Sequence, residues 1–336
     1  MNFIHLVSDD YSDPYPEWGR FAIDAQEADP FCCTAAWQFS FQEAFSPRRR
    51  ILVAREGKSA LLFAEKIFPN GRIVLTPVEA SWFFGSPLLG ENPAALLDDS
   101  MDFLRETYGK KIPEILISGI RPEGKLFPAL RKRFMRLFKF IPYQELTDVQ
   151  CAASLENGLE GFLFRRSAHE RKNLKREFKR AREKEIRFER VSPDSVAASD
   201  EVYARMLAVE KTSWKGRLKC GMTEMPAKMF YAVMLRRLAV SRFARVVFAK
   251  FEGKDVGFIF GGIVGGQIYR GQQFSYAEDW AAFSIGHLLQ MEQIAWLCQE
   301  GVQRYDMGPS LREKMAYKRH WTEQKFAIQS WFMIKK

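Results

Sequence analysis

One order of local signals runs through this chain twice, and it constrains the fold more than any single motif does. The stretch RRRILVAREGKSALLFAEKIF (48–68) alternates apolar and polar residues on either side of Glu56-Gly57-Lys58, the signature of a hairpin. The loop SWFFGSPLLG follows, then the helical run PAALLDDSMDFLRETYG, closed by Gly109, and the strand PEILISGI. In the second half a short strand, IRFERV, precedes a helical segment over about 194–215 and another in TEMPAKMFYAVMLRRLAVS. The meander ARVVFAKFEGKDVGFIFGGIVGGQIYRGQQFS turns at Glu252-Gly253-Lys254-Asp255 and again at Gly265-Gly266. FSIGHLLQMEQIAWLCQEG then reads as a helix stopped by Gly301, and VQRYDMG as the strand after it. Hairpins joined to strands through helices give an α/β fold of the α+β kind, with mixed, mostly antiparallel sheets flanked by helices. A chain of 336 residues exceeds one ordinary core. The repeat therefore predicts two related domains, 1–150 and 151–336, with the joint near 142–160.

Several classes are excluded at this level. The N-terminal MNFIHLVSDDYSDPYPEWGR lacks a basic start and a long apolar core, so no signal peptide is expected. The longest apolar stretch, GFIFGGIVGG at 257–266, is too short to span a bilayer. No membrane insertion and a cytoplasmic location are the corresponding expectations. Cys32, Cys33, Cys151, Cys220 and Cys298 have no metal-site spacing, and His5, His169, His287 and His320 are dispersed, so no metal is expected. GxSxG, Walker A and HExxH sequences are absent. GGIVGG lies inside the meander, without the strand–loop–helix context of a dinucleotide site.

The net charge of +10 is unevenly spread. Residues 161–190, GFLFRRSAHERKNLKREFKRAREKEIRFER, hold twelve Lys/Arg against five Glu, a local net of +7. Leu174, Phe178 and Ala181 form a narrow apolar stripe at helical spacing in this basic helix, 165–190. The charged remainder is either a solvated face laced with Glu–Lys/Arg pairs or a surface for an anionic partner. Coenzyme A phosphates, an acyl carrier protein and tRNA all fit the second description.

A helix that starts after a strand presents unpaired N–H groups to phosphate or to a developing oxyanion. In the second half that position is Ser284-Ile285-Gly286-His287, with Ser284 as N-cap and Gly286 allowing close backbone approach. GSPLLGENP, the equivalent in the first half, carries Pro87 and is less suited to phosphate, which leaves the first domain as a structural partner or a wall of the acceptor site.

RRSAHERKNLKREFKRAREKEIRF, EKTSWKG (210–216), FSIGHLL and the closing YDMG…YKRHW together resemble the GNAT acyltransferase superfamily, in its BioF2-like or FemAB-like branch of tandem GNAT domains. The resemblance covers residues 160–325 well and the first 150 only in element order. It implies an N-acyltransferase of bacterial type moving an acyl group from acetyl-CoA, another acyl-CoA or an acyl carrier protein to the amine of a small molecule or amino acid. The alternative is an aminoacyl-tRNA-dependent ligase of Fem type; a non-enzymatic nucleic-acid- or partner-binding protein is a third reading. Typical acetyl-CoA-dependent members carry Arg/Gln-x-x-Gly-x-Gly/Ala, whereas Ala281-Ala282-Phe283-Ser284-Ile285-Gly286 keeps only the last glycine. Fem-type relatives lack that loop as well.

N-acyl transfer needs a neutral amine, a stabilised oxyanion and a proton for the leaving group. Lys318 falls on the lysine that follows the last strand in Fem-type relatives, where it polarises the carbonyl or holds phosphate; otherwise it is a surface lysine. Tyr317 is either the acid for the leaving group or a packed aromatic. Asp306 either accepts an ammonium or caps the following turn, and Glu210 either binds the acceptor amine as base or pairs with Lys211 or Lys215. His287 lies at a helix start, which favours neutral imidazole, as base or as a plain polar residue. Ser284, Ile285, Gly286 and His287 are the expected donor-binding residues, and Trp214, Tyr305 and Gln273 the expected substrate pocket.

Overall fold

The computed structural model describes residues 1–4, 11–109, 112–143, 148–310 and 313–336, so part of the joint near 142–160 lies outside the described residues. The chain divides into two compact units, one holding Pro14–Gln150 with Phe326–Lys336, the other Cys151–Lys325.

In the first unit, α1 (Trp18–Asp24) and α2 (Ala35–Phe45) precede β2 (Ile51–Glu56) and β3 (Ser59–Ile67), with β1 (Asn2–Ile4) paired antiparallel to β2. The Glu56–Lys58 hairpin forms as the sequence signals, with Glu56 opposite Ser59 and Gly57 at φ +54°. Period-two alternation sends β3 side chains to two cores. Leu61 and Phe63 join the core built by α3 (Pro93–Asp99), α4 (Met101–Tyr108) and α5 (Leu126–Phe134), while Ala60, Leu62 and Ala64 meet Trp18, Phe21 and Phe39 from α1 and α2. β4 (Ile73–Pro77) is antiparallel to β3 and parallel to β6 (Glu114–Ile120), and the stretch expected as a loop contains β5 (Leu88–Gly90), paired with β3. After β7 (Phe138–Pro142) the chain passes to the second unit.

There β8 (Asp148–Ser154) leads to α6 (Gly158–Phe164) and α7 (Ala168–Glu183). The basic segment is thus not one helix over 165–190: it is helical over Ala168–Glu183 and enters the next strand at Arg187, and Ser167 and Glu170 start the helix with a reciprocal capping box, worth about 1 kcal/mol. Leu174 and Phe178 pack on the core and Ala181 is buried, as their spacing requires. β9 (Arg187–Val191), β10 (Ala244–Phe251), β11 (Lys254–Val264) and β12 (Ile268–Tyr276) form an antiparallel meander. α8 (Val196–Thr212), the short α9 (Trp214–Arg217) and α10 (Ala227–Val240) lie between β9 and β10 in sequence; α8 packs on α10, β11 and β12. α11 (Ile285–Gln299) buries Ile285, Leu288 and Leu289 with Val247 and Ile259 of the meander. β13 (Arg304–Pro309) follows, flanked by β8. The last strand, β14 (Gln324–Lys335), pairs antiparallel with β6 and β7.

Each unit contains a parallel pair that forks. β12 and β13 pair through Ile268–Arg304, Tyr269–Tyr305 and Arg270–Asp306, then run on to Tyr276 and Pro309 with no further register between them among the described residues. β4 and β6 pair through Val74–Glu114 and Leu75–Ile115 before they part.

Candidate functional site

The fork of the second unit gathers polar groups from four elements. Glu210, near the end of α8, is fully buried; its carboxylate accepts from the Met222 N–H (3.0 Å) and from Ser275 Oγ on β12. The approach is so close that a Cβ at Gly221 would stand 2.0 Å from Glu210 Oε1. Lys215 of α9 reaches the same stretch of β12, where its Nζ donates to Gln273 Oε1 and to the Phe274 carbonyl, both at 2.8 Å. Gln273 Nε2 donates in turn to the Tyr231 hydroxyl of α10 (2.6 Å). Burial lowers the pKa of Lys215, opposed by the charge of Glu210. In an antiparallel strand the N–H and C=O of one residue lie on the same edge. With its carbonyl held by Lys215 rather than by β11, Phe274 therefore directs its N–H towards the fork as well.

Tyr317 closes this place from the 3-10 segment Glu313–His320, its ring edge-on to Phe274 at 5.7 Å. Burial pushes its phenol up to about 12, against the opposing charge of Arg270. Arg270 itself is buried where the strands part and donates to the Gly271 carbonyl (2.7 Å). Gly308 lies under its guanidinium, at φ +75°, where a Cβ would approach Nη2 to 2.6 Å. Close approach and left-handed backbone both require glycine there.

The start of α11 borders the same aromatic surface. A Cβ at Gly286 would be 3.2 Å from the Phe274 ring and 3.3 Å from Tyr276. Ser284 does not cap the helix with its side chain: at φ +56°, ψ +34° it takes a left-handed turn, and only its carbonyl receives the first helical bonds, from His287 and Leu288. The N–H groups of Ile285 and Gly286 belong to the first turn, which has no intrahelical acceptor for them. α7 brings cations alongside, with Arg180 Nη2 donating to the Ala282 carbonyl (3.3 Å) and Lys184 set 5.9 Å over the Phe283 ring. His287 Nδ1 is 3.2 Å from Glu177, and its ring meets Trp321 edge-on.

The remaining candidates are held elsewhere. Both Asp306 oxygens accept from Arg304, at 2.7 Å each, and the residue is buried. Tyr305 is buried edge-on to Tyr269 at 5.0 Å, forming the floor below Gly271. Lys318 is also buried; its Nζ donates to the Pro309 carbonyl (2.6 Å) and ties the 3-10 segment to the end of β13. Trp321, stacked near Phe162, anchors that segment in the core. Trp214 stands 40% exposed at the start of α9. The structure thus brings Glu210, Gln273, Tyr317 and Gly286 around one aromatic surface, and adds Lys215, Tyr231, Arg270 and Ser275. Lys215 was visible within EKTSWKG; the others carry no local signal, because they come from two separate elements, α10 and β12.

Residues 168–319, from α7 to the segment bearing Tyr317 and Lys318, match the family of acetyltransferase (GNAT) domains. No curated protein matches the chain. Among solved structures, a conserved protein of unknown function from Bacteroides thetaiotaomicron VPI-5482 is 10% identical over 99% of both chains, with a TM-score of 0.65. FemX is 11% identical over 97% of each chain, at 0.63. L-PGS from Bacillus licheniformis is 16% identical over 96% of this chain and 92% of its own, at 0.58. At such identities these are likenesses of fold. The family match at residues 168–319 and these likenesses agree on a GNAT/FemAB-like fold for the chain.

Proposed function

We propose that the chain is an N-acyltransferase that moves an acyl group from a thioester donor, acyl-CoA or acyl carrier protein, to the amine of a small molecule or amino acid. The observation that carries this reading is the convergence of Glu210, Lys215, Gln273 and Tyr317 on the stretch of β12 beyond its pairing with β13, beside the start of α11. In this reading the amine lies at Gln273 and Ser275, and Glu210 draws its proton through the Ser275 hydroxyl. The carbonyl carbon of the donor bonds to the nitrogen, its oxygen takes the Phe274 N–H, and collapse expels the thiolate. Tyr317, protonated at neutral pH, donates to that leaving sulfur. The first N–H groups of α11, with Arg180 and Lys184 alongside, suit the donor's phosphates. Lys318 and Asp306 act through position: one fixes the end of β13, and the other is held by Arg304.

A second reading, aminoacyl-tRNA as donor, is favoured by one further observation besides the likeness to FemX. A phenol near 12 is poorly matched to a thiolate, whose conjugate acid lies near ~8.5, and better matched to the alkoxide that an ester releases. Thermal-shift titration of nucleic-acid-free protein separates the two. Acetyl-CoA or CoA at ~100 Kd should stabilise the fold by about 2.7 kcal/mol. No shift with either at millimolar ligand, together with a shift on adding tRNA, overturns the thioester reading.

A further inference from the structure

The first unit contains a cavity of about 700 Å³, within the roughly 300–1,000 Å³ typical of small-molecule sites. Its walls are the turn after α1, the β5–α3 connection and the entry to α5. Pro93, Ala94, Ala95, Leu126 and Ala129 make an apolar side, and Glu27 stands among the lining residues. Glu27 is only 7% exposed, and the charge of Arg121, not a hydrogen bond, is what offsets the burial of its carboxyl. Carboxyls at the rim are already matched: Asp24 with Arg20, Glu91 with Lys58, and Glu123 with Arg121. Arg121, whose charge Glu27 feels, commits Nε and Nη2 to Glu123 and Nη1 to the Gln26 carbonyl. Burial consequently lifts the Glu27 carboxyl to about 8.

A largely buried carboxyl that lines a cavity gains most from a ligand that brings both positive charge and N–H groups. One carboxylate is too few ligands for a divalent cation, which takes six or more oxygens. The apolar wall suits methylene groups. We propose that this cavity binds a small alkylamine, with its primary ammonium on Glu27 and its carbon chain along Ala94, Ala95 and Ala129. The site lies wholly in the first unit and is independent of the acyl-transfer reading.

The test is calorimetric titration of the full chain with putrescine and cadaverine. Saturable one-to-one binding is expected, weakened on the order of tenfold or more by Glu27→Gln, which keeps the shape and removes the group that ionises against the ammonium. Ala129→Trp, which fills the cavity and leaves the carboxyl in place, should abolish binding by itself. Equal affinity in Glu27→Gln, or no saturable binding of either diamine, overturns the proposal. Should Glu27→Gln fail to fold, undiminished binding in Ala129→Trp overturns it equally.

Discussion

The two forks start from the same geometry and end in opposite states. In the first unit the space beyond the parallel pair is stopped with backbone. Ser118 Oγ on β6 donates to the Gly85 carbonyl (2.6 Å), and Gly119, at φ +64°, lies so near that a Cβ would meet Gly85 at 2.6 Å. Gln38 of α2 holds this plug from behind, donating to the Cys32 carbonyl and accepting the Glu79 N–H. The buried Glu79 carboxylate gathers the N–H groups of Ser81, Trp82 and Phe84. In the second unit no such segment enters among the described residues, and half-buried side chains take its place: Lys215, Gln273, Tyr231 and Tyr317. Both forks contain a buried glutamate, but Glu79 spends its oxygens on backbone whereas Glu210 divides its own between the Met222 N–H and the Ser275 hydroxyl. A forked parallel pair is thus closed by backbone in one unit and lined by side chains in the other, where the proposed reaction would take place.

That contrast breaks most sharply at the two glutamates. Glu79→Ala strands three backbone N–H groups and should cost about 3 kcal/mol of stability by urea unfolding, with acyl transfer per folded molecule unchanged. Glu210→Gln should do the reverse, lowering kcat/KM by about a hundredfold with the fold retained by circular dichroism. Gly119→Ala should then cost about 2 kcal/mol through strain and the clash with Gly85, again without a specific effect on turnover. A specific loss of turnover in either first-unit variant would mean that the plugged fork takes part in catalysis. Lys318→Ala should cut turnover by about tenfold while the chain still folds, because the bond to the Pro309 carbonyl that places Tyr317 is lost. Near-normal activity in the folded variant removes Lys318 from the mechanism. The smallest effect concerns pH. A phenol held near 12 loses its proton, and with it any donor role, only above about pH 11, so kcat should not fall between pH 8 and 10.5 on account of Tyr317. A decline centred near pH 10 that vanishes in Tyr317→Phe would refute the enclosed state of this tyrosine.

Much of the scaffold was legible because its signals are local. The turn at Glu56–Lys58, the helix stops at Gly109 and Gly301 (φ +62° and +77°) and the stripe on the basic helix each follow from a few adjacent residues. The plug was not legible. Gly85 and Gly119 look like ordinary loop and strand glycines until the fold sets them face to face, and Gln38 reaches them from a helix far away in sequence. Ser284 looked like a serine cap, yet the sharp turn out of the preceding 3-10 segment (Glu278–Phe283) forces it into left-handed backbone. In the site, Glu210 and Tyr317 could be singled out from their motifs, but the partners that give them chemical meaning come from β12 and α10.

The return of the chain to the first unit at Phe326 bears on how the protein is made. β14 supplies the neighbour of β6 and β7, but those strands leave the ribosome long before it does. During synthesis the N-terminal sheet must wait with that edge bare while nearly all of Cys151–Lys325 emerges. The segment Cys151–Lys325 can therefore be complete before the first sheet is, and a stalled or clipped chain lacking β14 would expose backbone N–H and C=O groups of β6 and β7, a template for pairing with other chains.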